Sequence, residues 1–157
     1  MNEFDVKQKQ IHHLLTGRKL DALLLRRVSS FAWATCGASS YINTAVSEGT
    51  ASLLVTPKGR YLLTTNIEAP RFEKEEGLAV QGWEIKGAPW HDSSDLVASL
   101  AGGLKLGADG YYPGAVDVSA EIAELRINLG PEEQQRFRLL SGLCAEAMNE
   151  AIRSVHP

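Results

Sequence analysis

Four histidines, two cysteines and nineteen acidic residues are the groups in this chain that could ligate a metal or move a proton. His12 and His13 are neighbours in a helical stretch. They point in different directions and cannot hold one ion as residues four apart on a helix would. His91 stands before a predicted helix as a loop or cap residue, and His156 lies at the chain end. Cys36 and Cys144 match no zinc or redox spacing, and two reduced thiols in a cytoplasmic protein is the reading they support. Glu73, Glu75 and Glu76 mix with Arg71 and Lys74 as a solvated helix face does. Asp21 opens a predicted strand and Asp109 closes another. A nuclease of the ribonuclease H type would need such acids to converge on Mg²⁺, and no third acid is placed with these two. The chain contains no G-x-x-x-x-G-K-[ST], G-x-S-x-G, H-E-x-x-H or G-x-G-x-x-G motif. The aromatic segment Phe31-Ala32-Trp33, with Tyr41 beyond it, has two readings. The rings cover a sheet edge as core residues, or they are presented beside a loop to a ligand or a partner subunit.

The elements that would position these groups alternate between helix and strand. A first helix capped by Asp5 runs to about Gly17, with Val6, Ile11, Leu14 and Leu15 near one face. Asp21–Arg27 has the continuous apolar centre of a strand buried on both faces. Ser29–Gly37 reads as a short helix or turn and Ser39–Thr50 as an exposed loop. Ala51–Thr56 and Arg60–Thr65 flank Pro57-Lys58-Gly59, which predicts a hairpin and an antiparallel pair in the sheet. An acidic helix over Ile67–Glu76 follows, stopped by Gly77, then a strand over Leu78–Ile85. Ser93 or Ser94 caps a helix with Leu96, Val97 and Leu100, ended by Gly102-Gly103. Leu104–Ala108 is a short strand, and Asp117 or Ser119 caps a helix through about Leu129. The last helix begins at Pro131-Glu132-Glu133, where proline loses no needed hydrogen bond and the carboxylates face the positive end of the dipole. It runs to about Val155 with Phe137, Leu140, Cys144, Ala147, Met148, Ala151 and Val155 in one apolar stripe. The pattern predicts an α/β domain with a mixed parallel and antiparallel sheet and helices on both faces.

The 157 residues suit one domain, or one domain and a fragment. A composition of 44% hydrophobic, 22% charged and 7% aromatic residues is that of a soluble globular chain rather than a disordered or fibrous one. The net charge of −3 offers no basic excess for nucleic acid or an anionic membrane. No apolar run approaches the roughly 20 residues that span a bilayer. The opening MNEFDVKQKQ is not a secretory signal.

The order of segments resembles the N-terminal domain of the creatinase, Xaa-Pro aminopeptidase and prolidase family, the pita-bread metallopeptidases. The first helix followed by Gly17-Arg18-Lys19-Leu20-Asp21-Ala22-Leu23-Leu24-Leu25 is similar to the family's opening helix and G-x-D-A strand. Ser30-Phe31-Ala32-Trp33-Ala34-Thr35-Cys36-Gly37 is similar to its next segment, with Ser30 near the place of a common asparagine and Cys36 interrupting the usual Thr-Gly pair. Leu53-Leu54-Val55-Thr56-Pro57-Lys58-Gly59 and Tyr61-Leu62-Leu63-Thr64 resemble its hairpin, and Glu68, Arg71 and Glu75-Glu76 fit the helix after it. Leu125-Arg126, Pro131-Glu132-Glu133 and Ala145–Val155 resemble the linker and first helix leading to the catalytic domain.

The resemblance implies a domain over residues 1–129, with a fold related to ribonuclease H, and a linker helix over 130–157 that starts a missing C-terminal catalytic domain. That domain would carry the divalent metal pair (Mn, Co or Zn) on two Asp, one His and two Glu; creatinase-like members do without metal. None of those ligands maps onto this chain, so catalytic residues, metal ligands and cofactors are expected to be none. The implied role is assembly and substrate-access shaping, with the chain's own catalytic domain and a second copy as partners. Trp33 and Tyr41 are then expected at a subunit or substrate-entrance surface. Phe137, Leu140, Cys144, Met148 and Val155 are expected to form a helix-mediated homodimer. A free-standing binding module and a ribonuclease-H-like nuclease are the competing readings.

Overall fold

The computed structural model describes residues 2–92 and 95–155, in two compact units, Met1–Arg126 and Ile127–Pro157. In the first unit, α1 (Glu3–Arg18) is capped by the Asn2 side chain, which accepts the Asp5 N–H at 2.8 Å. The predicted cap, Asp5, is thus the capped residue. The helix continues through Gly17, because Lys19 takes the left-handed position that ends it, at φ 53°. β1 (Ala22–Arg27) leads directly into α2 (Val28–Ala34). The hairpin forms as predicted from β2 (Glu48–Thr56) and β3 (Gly59–Thr65), but β2 starts earlier than Ala51. The predicted loop Ser39–Thr50 is therefore exposed only over 41–47. Ser40 is buried, and its carbonyl accepts both the N–H and the Oγ1–H of Thr50.

α3 (Ala69–Lys74) is shorter than Ile67–Glu76, with Pro70 in its first turn, where it starts a helix rather than breaking one. The strand predicted over Leu78–Ile85 is displaced to β4 (Glu84–Ala88). Residues 78–82 make turns instead, between Gly77 at φ 63° and Gly82 at φ 81°, with the Trp83 N–H returning to the Leu78 carbonyl. α4 (Leu96–Ala101) is capped by Asp95, whose carboxylate accepts from Val97 and Ala98; the predicted caps Ser93 and Ser94 lie outside the described residues. β5 (Leu106–Ala108) is followed by β6 (Val116–Asp117), two residues too short to show a period, and by α5 (Ser119–Ile127). Asp117 accepts the Ser119 N–H at 2.9 Å, as its predicted capping role requires.

The six strands form one mixed sheet in the order β4-β3-β2-β1-β5-β6. β1 is antiparallel to β2 and parallel to β5; β3 is parallel to β4, and β5 to β6. The continuous apolar run of β1 is explained by its place inside this sheet. Leu23 and Leu25 face one side with Leu53, Val55 and Leu62, and α1, α2, α3 and α5 cover them through Ile11, Leu15, Phe31, Trp33, Phe72 and Ile122. The Phe31 and Phe72 rings meet at 5.7 Å between centroids. Leu24, Leu54, Tyr61 and Leu63 face the other side, where α4 supplies Leu96, Val97, Leu100 and Ala101. Each large apolar side chain so buried contributes about 1.5–3 kcal/mol. Helices lie on both faces as predicted, four against one.

The register of β1 against β2 shifts between Leu25 and Arg27. Buried Asp109, just past β5, meets that irregularity: its Oδ1 accepts the Arg26 N–H at 2.6 Å, and its carbonyl accepts Arg27 Nε–H at 2.5 Å.

The second unit contains α6 (Pro131–Ser154). The Glu133 carboxylate accepts the Gly130 N–H at 2.8 Å, and Pro131 stands in the first turn. No residue of α6 is buried.

Candidate functional site

The one-helix face of the sheet leaves a groove of about 450 Å³. Strand alternation puts Leu24 and Arg26 of β1, Ser52 of β2 and Leu63 and Thr65 of β3 along it. Chain leaving β4 forms one rim: the Trp90 N–H donates to Asn66 Oδ1 at 2.9 Å, and its ring, 66% exposed, meets His91 edge-on. Asp92, Asp95 and Tyr112 complete the lining with Leu96 and Val97. Arg26 pairs with Glu48 at 2.7 Å and also donates to the Tyr111 carbonyl. Tyr112 Oη–H donates to Asp95 Oδ2 at 2.7 Å. That bond, with the two α4 amides, holds the Asp95 carboxyl below the usual carboxylate range. Burial first, and the Asp95 hydrogen bond and charge after it, push Tyr112 up to about 12. The groove therefore offers a floor on which Leu24 and Leu63 alternate with Ser52, Thr64 and Thr65, two aromatic walls, and an Asp95 carboxylate already engaged.

A second cavity, about 500 Å³, lies between α1 and α5, with Val6, Leu14 and Leu125 among its lining and Lys9, His13, Glu121 and Glu124 beside them. Arg18 bridges to Glu121 there at 3.1 Å. A third, about 330 Å³, lies beside Arg27, Asp117 and Ser119.

The structure separates the two aromatics named from the sequence. Trp33 is 7% exposed and belongs to the core, which corrects the expectation of a surface ring. α2 turns it onto the sheet, and the Lys7 ammonium lies 5.7 Å from its ring centre. Tyr41, 44% exposed, stands on the loop as expected, beside exposed Ile42 and Val46. Phe137, Leu140, Met148 and Val155 are all more than half exposed, and Cys144 is an exposed free thiol. Leu139, Leu143 and Ile152 are exposed on the same helix. Asp21 and Asp109 flank opposite ends of parallel β1 and β5, so these acids do not converge. Among the described residues no group of three or more His, Cys, Asp or Glu could hold a metal ion. No described helix is long and apolar enough to cross a membrane. Sequence reasoning missed the groove. Its residues come from six separate segments, and Trp90 and Tyr112 carry no local motif.

No protein-family model matches the chain, and no curated protein does. Solved structures do. The chain is similar to the prolidase from Pyrococcus horikoshii OT3 with a TM-score of 0.67 and 17% identity, over 96% of this chain and 43% of that one. It is similar to the Xaa-Pro dipeptidase from Bacillus anthracis with a TM-score of 0.67 and 16% identity, over 98% of this chain and 44% of that one. The chain thus spans less than half the length of either. The likeness is one of fold, and it extends over nearly the whole of this chain.

Proposed function

We propose that this chain is the non-catalytic N-terminal part of a metal-dependent Xaa-Pro peptidase, joined through α6 to a catalytic half, and that it serves oligomer assembly and the shaping of substrate access. The observation that carries the reading is the coverage of the likeness: nearly all of this chain against 43% of the prolidase chain. A divalent metal pair (Mn, Co or Zn) belongs, on this reading, to the catalytic half, because the described residues bring together no ligand set of their own. The exposed stripe of α6 supports a homodimer, since apolar side chains at helical spacing gain most of their stability by packing. Cysteines that match neither a zinc nor a redox spacing support a cytoplasmic setting.

The test is hydrolysis of Xaa-Pro dipeptides by the purified chain with Mn²⁺, Co²⁺ or Zn²⁺ added singly. The expected outcome is no turnover above the metal alone. Turnover that follows the chain through purification, and is lost on changing one of its own side chains, overturns the reading. The groove with its exposed Trp90 favours one second reading, a binding module that acts without a catalytic half.

A further inference from the structure

Residues 110–115, Gly-Tyr-Tyr-Pro-Gly-Ala, connect β5 to β6. Gly114 has φ +78°, a left-handed conformation that favours glycine. The segment is held at two points, by Arg26 on the Tyr111 carbonyl and by the Tyr112 hydroxyl on Asp95. Between them the half-buried Tyr112 ring lines three separate cavities. These are the groove over β1 and β3, a cavity of about 220 Å³ beside α4 that reaches Ala101 and Leu106, and the cavity beside Arg27. A side chain common to three cavities is the wall between them.

We propose that residues 110–115 form a hinged strap with Tyr112 as its latch, and that releasing Tyr112 from Asp95 joins the groove and the cavity beside α4 into one trough. Leu24, Leu63, Val97, Ala101 and Leu106 would line it beside Ser52, Thr65 and Asp95, a run suited to a linear aliphatic ligand with a polar end, such as an alkanol, rather than to a compact one. The device stands whichever reading of the chain's function holds, because it involves residues of the first unit alone.

Amide hydrogen exchange on the whole chain tests the latch. Tyr112→Phe keeps the ring and removes only the hydroxyl. The Ala115 N–H, bonded to the Tyr112 carbonyl at 3.1 Å, should then exchange about tenfold faster, the loss expected for one charge-assisted hydrogen bond. The Val118 N–H, bonded to the Ala108 carbonyl beyond the strap, should keep its rate, as should Val97 and Ala98, which Asp95 still caps. An unchanged Ala115 rate, or a uniform rise across all four amides, overturns the latch. The joining of cavities is tested with 1-decanol as the probe. In Tyr112→Ala, decanol should shift the backbone signals of Ala101 and Leu106 together with those of Leu24 and Leu63. In the wild type at equal concentration it should shift Leu24 and Leu63 more. Shifts confined to Leu24 and Leu63 in both proteins overturn it.

Discussion

Trp33 lies under a cation. The Lys7 ammonium is 5.7 Å from the ring centre, 3% of Lys7 is exposed, and its nitrogen is 2.6 Å from Glu3. A buried ammonium is tolerated only where a counter-charge and a polarisable surface replace the water it has lost. Trp33→Ala would therefore open a cavity and strip one wall from Lys7. We expect a loss of about 3–5 kcal/mol in urea unfolding, the cost of deleting a large core aromatic. Tyr41→Ala, on the exposed loop, should stay within about 0.5 kcal/mol. At this scale the sequence was half legible. An aromatic beside a polar loop suggests a surface ring, and that holds for Tyr41. The seven residues of α2 are too few for a helical period to reveal that Trp33 turns inward.

Among the elements, the hairpin was readable because Pro57 and Gly59 punctuate two apolar runs, and β1 because an unbroken apolar run has few other places to go. β4 was misplaced because Leu78, wholly buried, imitates the start of a strand while anchoring a turn. The early start of β2 was hidden in small and polar residues, and the reason is steric. A Cβ built on Gly49 would lie 2.2 Å from Ser40 Oγ and 2.7 Å from the Ser40 carbonyl oxygen. The Ser40 backbone is itself tied to Thr50, so rotating the serine side chain does not relieve the clash. Gly49→Ala should destabilise the domain by about 1–3 kcal/mol, as overpacking does, with an unchanged urea m-value if the fold is kept. A midpoint equal to that of wild type would show that this approach can relax without cost.

For the whole molecule, the apolar stripe of α6 was legible from spacing alone, but its occupant was not. A helix records which of its faces is apolar, and the surface that covers that face is written in another sequence or another copy. Phe137, Leu140, Met148 and Val155 are 57%, 56%, 63% and 75% exposed. Leaving side chains of this kind in water forgoes about 1.5–3 kcal/mol for each one that could be fully buried. Sedimentation of the wild type is expected to show a two-fold dimer, built on antiparallel or crossed helices. Leu140→Glu with Met148→Glu should return it to a monomer with unchanged near-ultraviolet circular dichroism. Two folded monomers at high concentration would exclude the pairing. The groove was not legible at any scale, because it is assembled from side chains that only the sheet brings together.

The position of β1 also has a consequence for the order in which the domain can form. One of its edges is closed by β2, a neighbour in sequence, while the other waits for β5, 84 positions separating Asp21 from Lys105 where they meet. During synthesis, β1 to β3 leave the ribosome as an antiparallel meander, and β4 joins it, with the Leu23-Leu24-Leu25 edge still unpaired. The native partner arrives only when Leu106–Ala108 emerges and a long loop has been closed. That interval is when a nascent chain is most exposed to strand addition by a neighbour. A chain cut short before β5 would keep the hazard permanently, although every residue of its hairpin was in place.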